Sequence, residues 1–287
     1  MMAWQSVLLA LGTLLVLGLA AYAFCVEPYR VRLSKVELAI ANLPDSLDGF
    51  TICHLSDTHT SRYGRLERKV REILAGVDAD LCTITGDLYG RRGGIEALKR
   101  VLSSFNPRLG VFAVLGNGDH KLRMPMAELA SQIEQSGIRL LLNSHVTVSS
   151  DGQSLDLIGV GDPFLGFDDL SGAMSGLAED GFKLLLAHSP DVVVDPAARS
   201  VNLILAGHTH GGQVRLPFIG PVWLHCRHRL GISEGYFGPE ALSRVLGRDM
   251  HESHMYVSRG LAGSGVQARF MCPPEILLIT LRQESEW

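Results

Sequence analysis

The chain has 287 residues, of which 46% are hydrophobic and 20% charged, and its net charge of -4 lacks the basic excess of a general nucleic-acid binder. That length suffices for one large α/β domain or two small ones. The five cysteines are odd in number and show no CxxC spacing. This argues against a disulfide framework or a structural zinc site and suits a reducing compartment.

A run of about twenty uncharged residues, from Val7 to Val26, is long enough to cross a bilayer as a helix. A cleavable signal peptide is the alternative, but residues 1–6 contain no Lys or Arg and the run is longer than such a peptide needs. Three basic residues follow the run: Arg30, Arg32 and Lys35. By the positive-inside rule, the chain after the run faces the cytoplasm. We therefore expect residues 1–29 to be a single-pass anchor and its flank in the cell inner membrane, and residues 30–287 to be a cytoplasmic catalytic domain.

After a strand at 31–40, three strand–loop–helix units follow one another. Strands are predicted at 50–55, 80–85 and 110–115, and helices at 65–76, 95–105 and 124–136. Each strand runs into a polar motif: Asp57-Thr58-His59, Gly86-Asp87 and Gly116-Asn117. Because the carboxyl ends of parallel strands meet at one edge of a sheet, this order predicts a parallel sheet with these side chains close together.

The second half is richer in short strands. They are predicted at 139–142, 145–149, 154–159, 182–187, 203–206, 255–258 and 276–281, with a helical segment at 168–178. Two of these strands run into histidine motifs, Ala187-His188 and Gly207-His208-Thr209-His210. No repeat or low-complexity linker separates the halves, so we expect one α/β domain built from two packed sheets.

The motifs collect seven possible metal ligands: Asp57, His59, Asp87, Asn117, His188, His208 and His210. Taken alone, an Asp-x-His or a Gly-Asp is more often a turn with a solvated or capping side chain. Five motifs in order, each after a strand, instead indicate a two-metal hydrolase of phosphate esters. Two cations roughly 3.5–4 Å apart can clamp the attacking and leaving oxygens of a displacement at phosphorus, with one carboxylate between them.

The order of these motifs resembles the calcineurin-like metallophosphoesterases. The resemblance covers about residues 50–213 and extends to Arg259-Gly260 and Pro273-Pro274-Glu275. It implies a four-layer α/β/β/α sandwich, here preceded by one N-terminal transmembrane helix. It also implies two divalent metal ions with a bridging water as nucleophile. Mn is the metal that we favour, and Fe or Zn are the alternatives.

The same resemblance assigns the ligands. One metal would be held by Asp57, His59 and His210. The other would be held by Asn117, His188 and His208, with Asp87 as the bridge. Asp87 and Asn117 are therefore candidate catalytic residues as well as metal ligands.

The third motif departs from the family. Many members have Gly-Asn-His-Asp there, with a histidine thought to protonate the leaving group, whereas this chain has Gly118 at that position and His120 two residues later. Either His120 takes that role and is a third catalytic residue, or no acid is needed. A phosphate that leaves from a pyrophosphate is a better leaving group than an alkoxide. The departure therefore favours a pyrophosphate or an activated diester as substrate.

Candidate substrate contacts are four basic residues in loops near the motifs: Lys121, Arg123, Arg227 and Arg229. Each has the alternative of being a solvated loop charge. The apolar loops 164–167 and 216–219 are expected to pack in the core, although either could admit acyl chains or enter the membrane. The remaining histidines, at 54, 145, 225, 251 and 254, are expected to be ordinary core or surface residues.

A membrane anchor favours a lipid-linked substrate, because it raises the effective concentration of enzyme beside that substrate. Membrane-anchored family members of this layout resemble the UDP-2,3-diacylglucosamine pyrophosphatases of lipid A synthesis, which release UMP and a diacylglucosamine 1-phosphate. The expected partners are thus a phosphate-ester or nucleotide-lipid substrate and the membrane, without nucleic acid or a protein partner. Two alternatives remain open, an outward-facing or broad-specificity phosphatase or phosphodiesterase of the cell envelope, and a non-catalytic metal-binding scaffold.

Overall fold

The computed structural model describes residues 2–90, 94–122, 124–150, 152–228 and 230–284. The helices are α1 (Met2–Cys25), α2 (Arg65–Leu74), α3 (Gly94–Leu102), α4 (Met126–Gln135), α5 (Leu170–Ala173) and α6 (Pro239–Leu246). The first seven strands are β1 (Arg32–Ile40), β2 (Thr51–Leu55), β3 (Leu81–Thr85), β4 (Val111–Val114), β5 (Ile138–Leu140), β6 (Ser144–Ser150) and β7 (Gln153–Gly159). The other seven are β8 (Lys183–Leu186), β9 (Leu203–Ala206), β10 (Arg215–Leu216), β11 (Gly220–Pro221), β12 (Gly235–Phe237), β13 (His254–Val257) and β14 (Glu275–Gln283).

Most strands belong to two six-stranded sheets. The first has the order β1-β14-β2-β3-β4-β5, and its β2 to β5 run parallel, as the three strand–loop–helix units predicted. The second has the order β12-β13-β9-β8-β7-β6, in which β7, β8, β9 and β13 are parallel and both edge strands are antiparallel to their neighbours. Strands β10 and β11 form a separate two-stranded hairpin.

Three apolar cores hold the layers together. One lies between the two sheets and contains Leu157 and Leu277. Another packs the first sheet against α2, α3 and α4, and the third packs the second sheet against α5 and α6. Because both faces of each sheet are covered, central strands such as Leu81–Thr85 and Leu203–Ala206 are buried at every residue. The predicted four-layer α/β/β/α sandwich is confirmed.

Helix α1 stands apart from these cores. Its 24 residues carry no charge and rise about 36 Å, which exceeds the roughly 30 Å hydrocarbon core of a bilayer. Its leucines are exposed around the helix, including Leu8 and Leu15. An exposed helix that is apolar on every side requires an apolar surrounding. Among the described residues it is the one helix long and apolar enough to cross a membrane.

The C-terminal end of α1 is bound to the domain. The Arg269 amide donates to the carbonyl of Ala23 at 2.9 Å, and the Tyr22 ring meets Phe270 edge-on at 6.2 Å. Just beyond the helix, the buried carboxylate of Glu27 accepts the Cys272 amide at 2.6 Å. The helix is therefore joined to the segment 269–272.

Two expectations about local structure were wrong. The helix expected at 168–178 is shorter, and α5 ends at Ala173, because glycines at 172 and 176 disfavour a longer helix. The loops 164–167 and 216–219 are not in the core, since Phe167 is 51% exposed and Phe218 and Ile219 project from the surface. The five cysteines are all free, as expected.

Candidate metal centre

The carboxyl ends of five parallel strands meet at one edge and carry the candidate site. Strands β2, β3 and β4 of the first sheet run into Asp57, Asp87 and Asn117. Strands β8 and β9 of the second sheet run into His188 and His208. The loops approach closely only because they contain glycine. A Cβ at Gly86 would collide with the His188 ring, and a Cβ at Gly116 would collide with the Asp87 carboxylate.

Five of the seven candidate ligands have a left-handed backbone. Their φ angles are 51° at Asp57, 40° at His59, 48° at Asp87, 68° at His208 and 51° at His210. Such a conformation costs a non-glycine residue about 1–3 kcal/mol, and strain of this kind clusters at functional sites. The surrounding fold therefore holds these side chains in positions that the local sequence does not favour.

One group of ligand atoms belongs to Asp57, His59, Asp87 and His210, and these atoms all lie within 4.8 Å of one another. His59 Nε2 is 3.3 Å from Asp87 Oδ2, and His210 Nε2 is 3.4 Å from Asp57 Oδ1. A single cation placed among them can reach all four side chains.

A second group lies on the other side of Asp87. His188 Nε2 is 3.1 Å from Asn117 Oδ1, 3.1 Å from His208 Nδ1 and 3.5 Å from Asp87 Oδ1. Asp87 thus directs Oδ2 at the first group and Oδ1 at the second. This is the arrangement that a carboxylate bridging two cations requires.

The hydrogen bonds around the site show that it fits cations. His188 Nδ1 donates to the Thr85 carbonyl at 2.9 Å, and His210 Nδ1 donates to the Ala262 carbonyl at 3.0 Å. In its neutral form each ring therefore carries a lone pair on Nε2, and that of His210 faces a carboxylate oxygen. Two buried ligand atoms of the first group have no hydrogen-bond partner: Asp57 Oδ1 and His59 Nε2. Acceptors that converge without donors are satisfied by metal ions.

The protonation states agree with this arrangement. Burial lowers the pKa of His208 to about 2 and that of His210 to about 4, so both rings are neutral at pH 7 and free to bind metal. Burial alone would lower the pKa of His188 too, but the carboxylates of Asp87, Asp57 and Asp162 outweigh it and raise that pKa to about 9. A cation bound at Nε2 would take the place of the proton.

Two residues that support the site were not predicted from the sequence. The buried Arg269 guanidinium donates to the carbonyls of Arg259, Gly260, Ala262 and Cys272, at 2.6 to 3.2 Å. The Ala262 carbonyl is also the acceptor for His210, so Arg269 helps to orient that ring. The Asp119 carboxylate accepts the amides of Gly116, Leu88 and Tyr89, which ties together the loops after β3 and β4. The Gly-Asn-Gly-Asp motif could have pointed to Asp119, whereas no sequence motif surrounds Arg269.

An open cleft of about 450 Å³ leads to the second group of ligands. It is lined by Asp87, Asn117 and His208, and also by Lys121, Trp223 and His225. His225 was expected to be an ordinary residue, but its ring lies 5.3 Å from that of His208. Lys121 is thus the predicted substrate contact that the structure brings to the cleft.

The other predicted residues do not line these clefts or are outside the described residues. His120 packs edge-on against Phe167 at 4.9 Å, and it does not line the described clefts beside the ligands. Arg227 is exposed and does not line them either. Arg123 and Arg229 lie outside the described residues.

A second groove, of about 600 Å³, starts at His59 and reaches the end of α1. Phe24, Pro28 and Tyr29 line its far end, and Arg62 and Arg65 line its wall. The Arg65 guanidinium donates to the Cys25 carbonyl at 3.3 Å and lies 4.4 Å from the centre of the Tyr29 ring. The groove thus connects the metal ligands to the apolar helix.

Comparison with known proteins agrees with this geometry. A family model described as calcineurin-like phosphoesterase matches residues 50–212, more than half of the chain. The chain belongs to this family. It is accordingly a hydrolase of phosphoester bonds with a candidate centre for divalent metals, as its ligand cluster indicates.

Three relatives in the family align along most of their length. The metallophosphoesterase YkuE of Bacillus subtilis, described as uncharacterized, is 32% identical over 286 residues, covering 96% of this chain and 94% of that protein. The phosphodiesterase YaeI of Escherichia coli is 29% identical over 270 residues, covering 92% and 93%. The UDP-2,3-diacylglucosamine pyrophosphatase LpxG of Chlamydia trachomatis is 26% identical over 305 residues, covering 88% and 90%.

Proposed function

We propose that this protein is a membrane-anchored dimetal phosphoesterase that hydrolyses a pyrophosphate or phosphodiester bond in a lipid-linked substrate. The observation that carries the proposal is the groove from His59 to Phe24, which joins the candidate metal centre to the end of α1. A substrate whose acyl chains stay in the bilayer needs such a path to present its phosphate to the centre. Arg62 and Arg65 along the groove supply positive charge for that phosphate.

The proposed function assigns a role to each residue of the candidate site. Asp57, His59 and His210 would hold one divalent cation, Asn117, His188 and His208 would hold the other, and Asp87 lies between the two groups. Bound as a pair, the cations supply activation of a water molecule and neutralise charge on the phosphate. Lys121 lines the cleft and would contact a phosphate oxygen of the substrate. Mn is the first metal to test, followed by Fe and Zn, because mixed carboxylate and imidazole sites accept all three.

The third motif supports a substrate with a good leaving group. Gly118 donates its amide to Asp87 Oδ1, and a Cβ at this position would lie 2.7 Å from the same oxygen. Glycine at position 118 has no side chain to serve as the usual acid, and its amide instead contacts the proposed bridging carboxylate. Cleavage of a pyrophosphate does not require that acid. Together with the likeness to LpxG, this makes UDP-2,3-diacylglucosamine the substrate that we favour.

We infer the membrane orientation from charge. Arg30 and Arg32 come within a few residues of the end of α1, and the positive-inside rule favours a domain on the cytoplasmic face of the inner membrane. The second candidate function is a phosphodiesterase of the cell envelope that faces outward, and the likeness to the phosphodiesterase YaeI supports that type of reaction. A topology reporter fused after Trp287 separates the two, because only an outward-facing domain would carry the reporter across the membrane.

The experiment that tests the function uses the full chain in detergent with Mn. UDP-2,3-diacylglucosamine and a chromogenic phosphodiester are supplied in parallel, and the Asp87→Ala variant is the control. We expect release of UMP that depends on both Mn and Asp87. Turnover of only the chromogenic ester would retain the dimetal hydrolase and reject the nucleotide-lipid. No turnover of either would favour the non-catalytic scaffold.

A further inference from the structure

The hairpin at residues 214–223 carries an apolar tip that no part of the described chain covers. Phe218 is fully exposed, and Ile219, Val222 and Trp223 are 73%, 57% and 74% exposed. A left-handed turn, with φ of 64° at Phe218 and 85° at Gly220, directs the tip outward. A soluble protein rarely leaves such a contiguous apolar patch open to water unless it meets a partner or a membrane.

The composition of the tip suits lipid better than water. Residues 216–224 contain no charged side chain. Pro217 and Pro221 have no amide hydrogen to leave unsatisfied, and the Ile219 amide donates to the Leu216 carbonyl at 3.3 Å. The charged Arg215 lies at the base of the hairpin, where it pairs with Glu234 at 3.2 Å.

The hairpin is built onto the segment that holds the end of α1. The Arg215 amide donates to the Phe270 carbonyl, and the Phe270 amide donates to the Gln213 carbonyl, both at 2.9 Å. The same Phe270 packs against Tyr22, while Arg269 is bonded to Ala23. Val266 and Met271, beside this junction, are also exposed apolar residues. The hairpin and the end of the helix are thus fixed to the same short segment.

We propose that the hairpin 214–223 inserts its tip into the bilayer that α1 spans, and so holds the mouth of the metal cleft at the level of the lipid headgroups. The inference rests on the proposed membrane anchoring of the chain. Val222 and Trp223 belong both to the hairpin and to the wall of the cleft. An inserted tip therefore places the cleft beside the bilayer surface, where the phosphate of a membrane lipid lies. Tryptophan is favoured at that depth.

Fluorescence of Trp223 tests the insertion. The chain has three tryptophans, at 4, 223 and 287, so a W4F/W287F protein retains Trp223 alone. This protein is reconstituted in full-length form in nanodiscs of ordinary or brominated phosphatidylcholine. We expect brominated lipid to remove at least half of the Trp223 emission. Equal emission in the two lipids would overturn the inference.

A matched control places the single tryptophan at the opposite edge of the sheets. Ser104 is exposed in the loop before β4, at the amino end of the strands, and W4F/W223F/W287F/S104W reports from there. Its emission should be the same in both lipids. Strong quenching at this position too would show that the probe does not report insertion, and depth would then be measured with a spin label on residue 218.

The tip itself is tested by the double substitution F218S/I219S, made in the W4F/W287F protein. The variant should lose most of the quenching of Trp223 and still hydrolyse a soluble chromogenic diester at the parent rate, because neither residue lines the cleft. Undiminished quenching would overturn the proposal. The two failures remain distinguishable: an inactive chain with a quenched Trp223 contradicts only the proposed function, and an active chain without quenching contradicts only the insertion.

Discussion

Asp87 is the side chain on which both halves of the candidate metal centre depend. Its two oxygens lie 3.3 Å from His59 Nε2 and 3.5 Å from His188 Nε2. We predict that Asp87→Asn lowers kcat by more than about 100-fold, since even the hydrogen-bond partners of metal ligands typically cost 10–100-fold when replaced. Steady-state kinetics with Mn and the metal content of the purified protein measure the effect. Asp180→Asn, on an exposed loop, is the control and should leave both quantities unchanged. Parent activity in Asp87→Asn would contradict a bridging role.

His225 and His120 are the two histidines that could donate a proton to the leaving group, and their positions differ. His225 lines the cleft beside His208, whereas His120 does not line it and packs its ring against Phe167. We predict that His225→Ala lowers turnover of an alkyl phosphodiester by about 100-fold, and that of a pyrophosphate by much less, because only the alkoxide needs a proton. His120→Ala should affect the two substrates equally. The comparison of kcat for both esters in both variants tests this, and selective loss in His120→Ala would instead restore that residue as the acid.

Among the elements, the loop 259–272 depends on one buried arginine. Arg269 donates to four carbonyls of this loop, including that of Ala262, which orients His210. We predict that Arg269→Met lowers the free energy of unfolding by at least about 2 kcal/mol, since it leaves buried acceptors without donors. Metal affinity should fall by about 10-fold or more through His210.

Chemical denaturation and metal titration of the full chain measure these two effects. Arg199→Met is the matched control, because Arg199 is exposed at the end of a short 3₁₀ helix. If Arg269→Met bound metal as tightly as the parent, the loop would not be what positions His210.

The helices and strands differ in how well they could be predicted from the sequence. The strands β2, β3 and β4 and their polar ends were predicted, because a short apolar run followed by a turn is a local signal. The hairpin of β10 and β11 was not, since each strand has two residues and its base is fixed by Phe270, more than fifty positions away in the chain. Helix α6 was missed as well.

The same reason limited what could be predicted of the site. The seven proposed ligands lie in motifs and were found from order and spacing, although their roles remain predictions. His225 and Arg269 have no motif around them, and only packing brings them to the centre. Loops 164–167 and 216–219 were expected in the core because they are apolar. Composition alone does not distinguish a residue buried in the protein from one exposed on its surface.

At the scale of the whole molecule, the candidate centre requires both sheets. The first sheet supplies Asp57, Asp87 and Asn117, and the second supplies His188 and His208. The core between the sheets therefore fixes the distance between ligands as well as the fold. The packing of these core residues thus sets the geometry that two cations would need.

The anchor is the last part of the molecule whose contribution can be measured separately. Deletion of residues 2–20 removes most of α1 but keeps Tyr22 and Ala23, which contact the segment 269–272. We predict that the shortened protein hydrolyses a soluble chromogenic diester within about twofold of the parent rate. With a lipid-linked substrate in vesicles, kcat/KM should fall by about 100-fold or more, because tethering can raise effective concentration by 10²–10⁴-fold.

Replacing α1 by an unrelated transmembrane helix is the matched control, and it should restore most of the activity toward vesicles, since tethering does not depend on the sequence of the helix. Equal activity of the shortened and full chains toward vesicles would contradict the role of the anchor. If the unrelated helix failed while the deletion behaved as predicted, the contacts of Tyr22 and the groove to Phe24 would be needed in addition to tethering, because they connect this particular helix to the domain and its metal ligands.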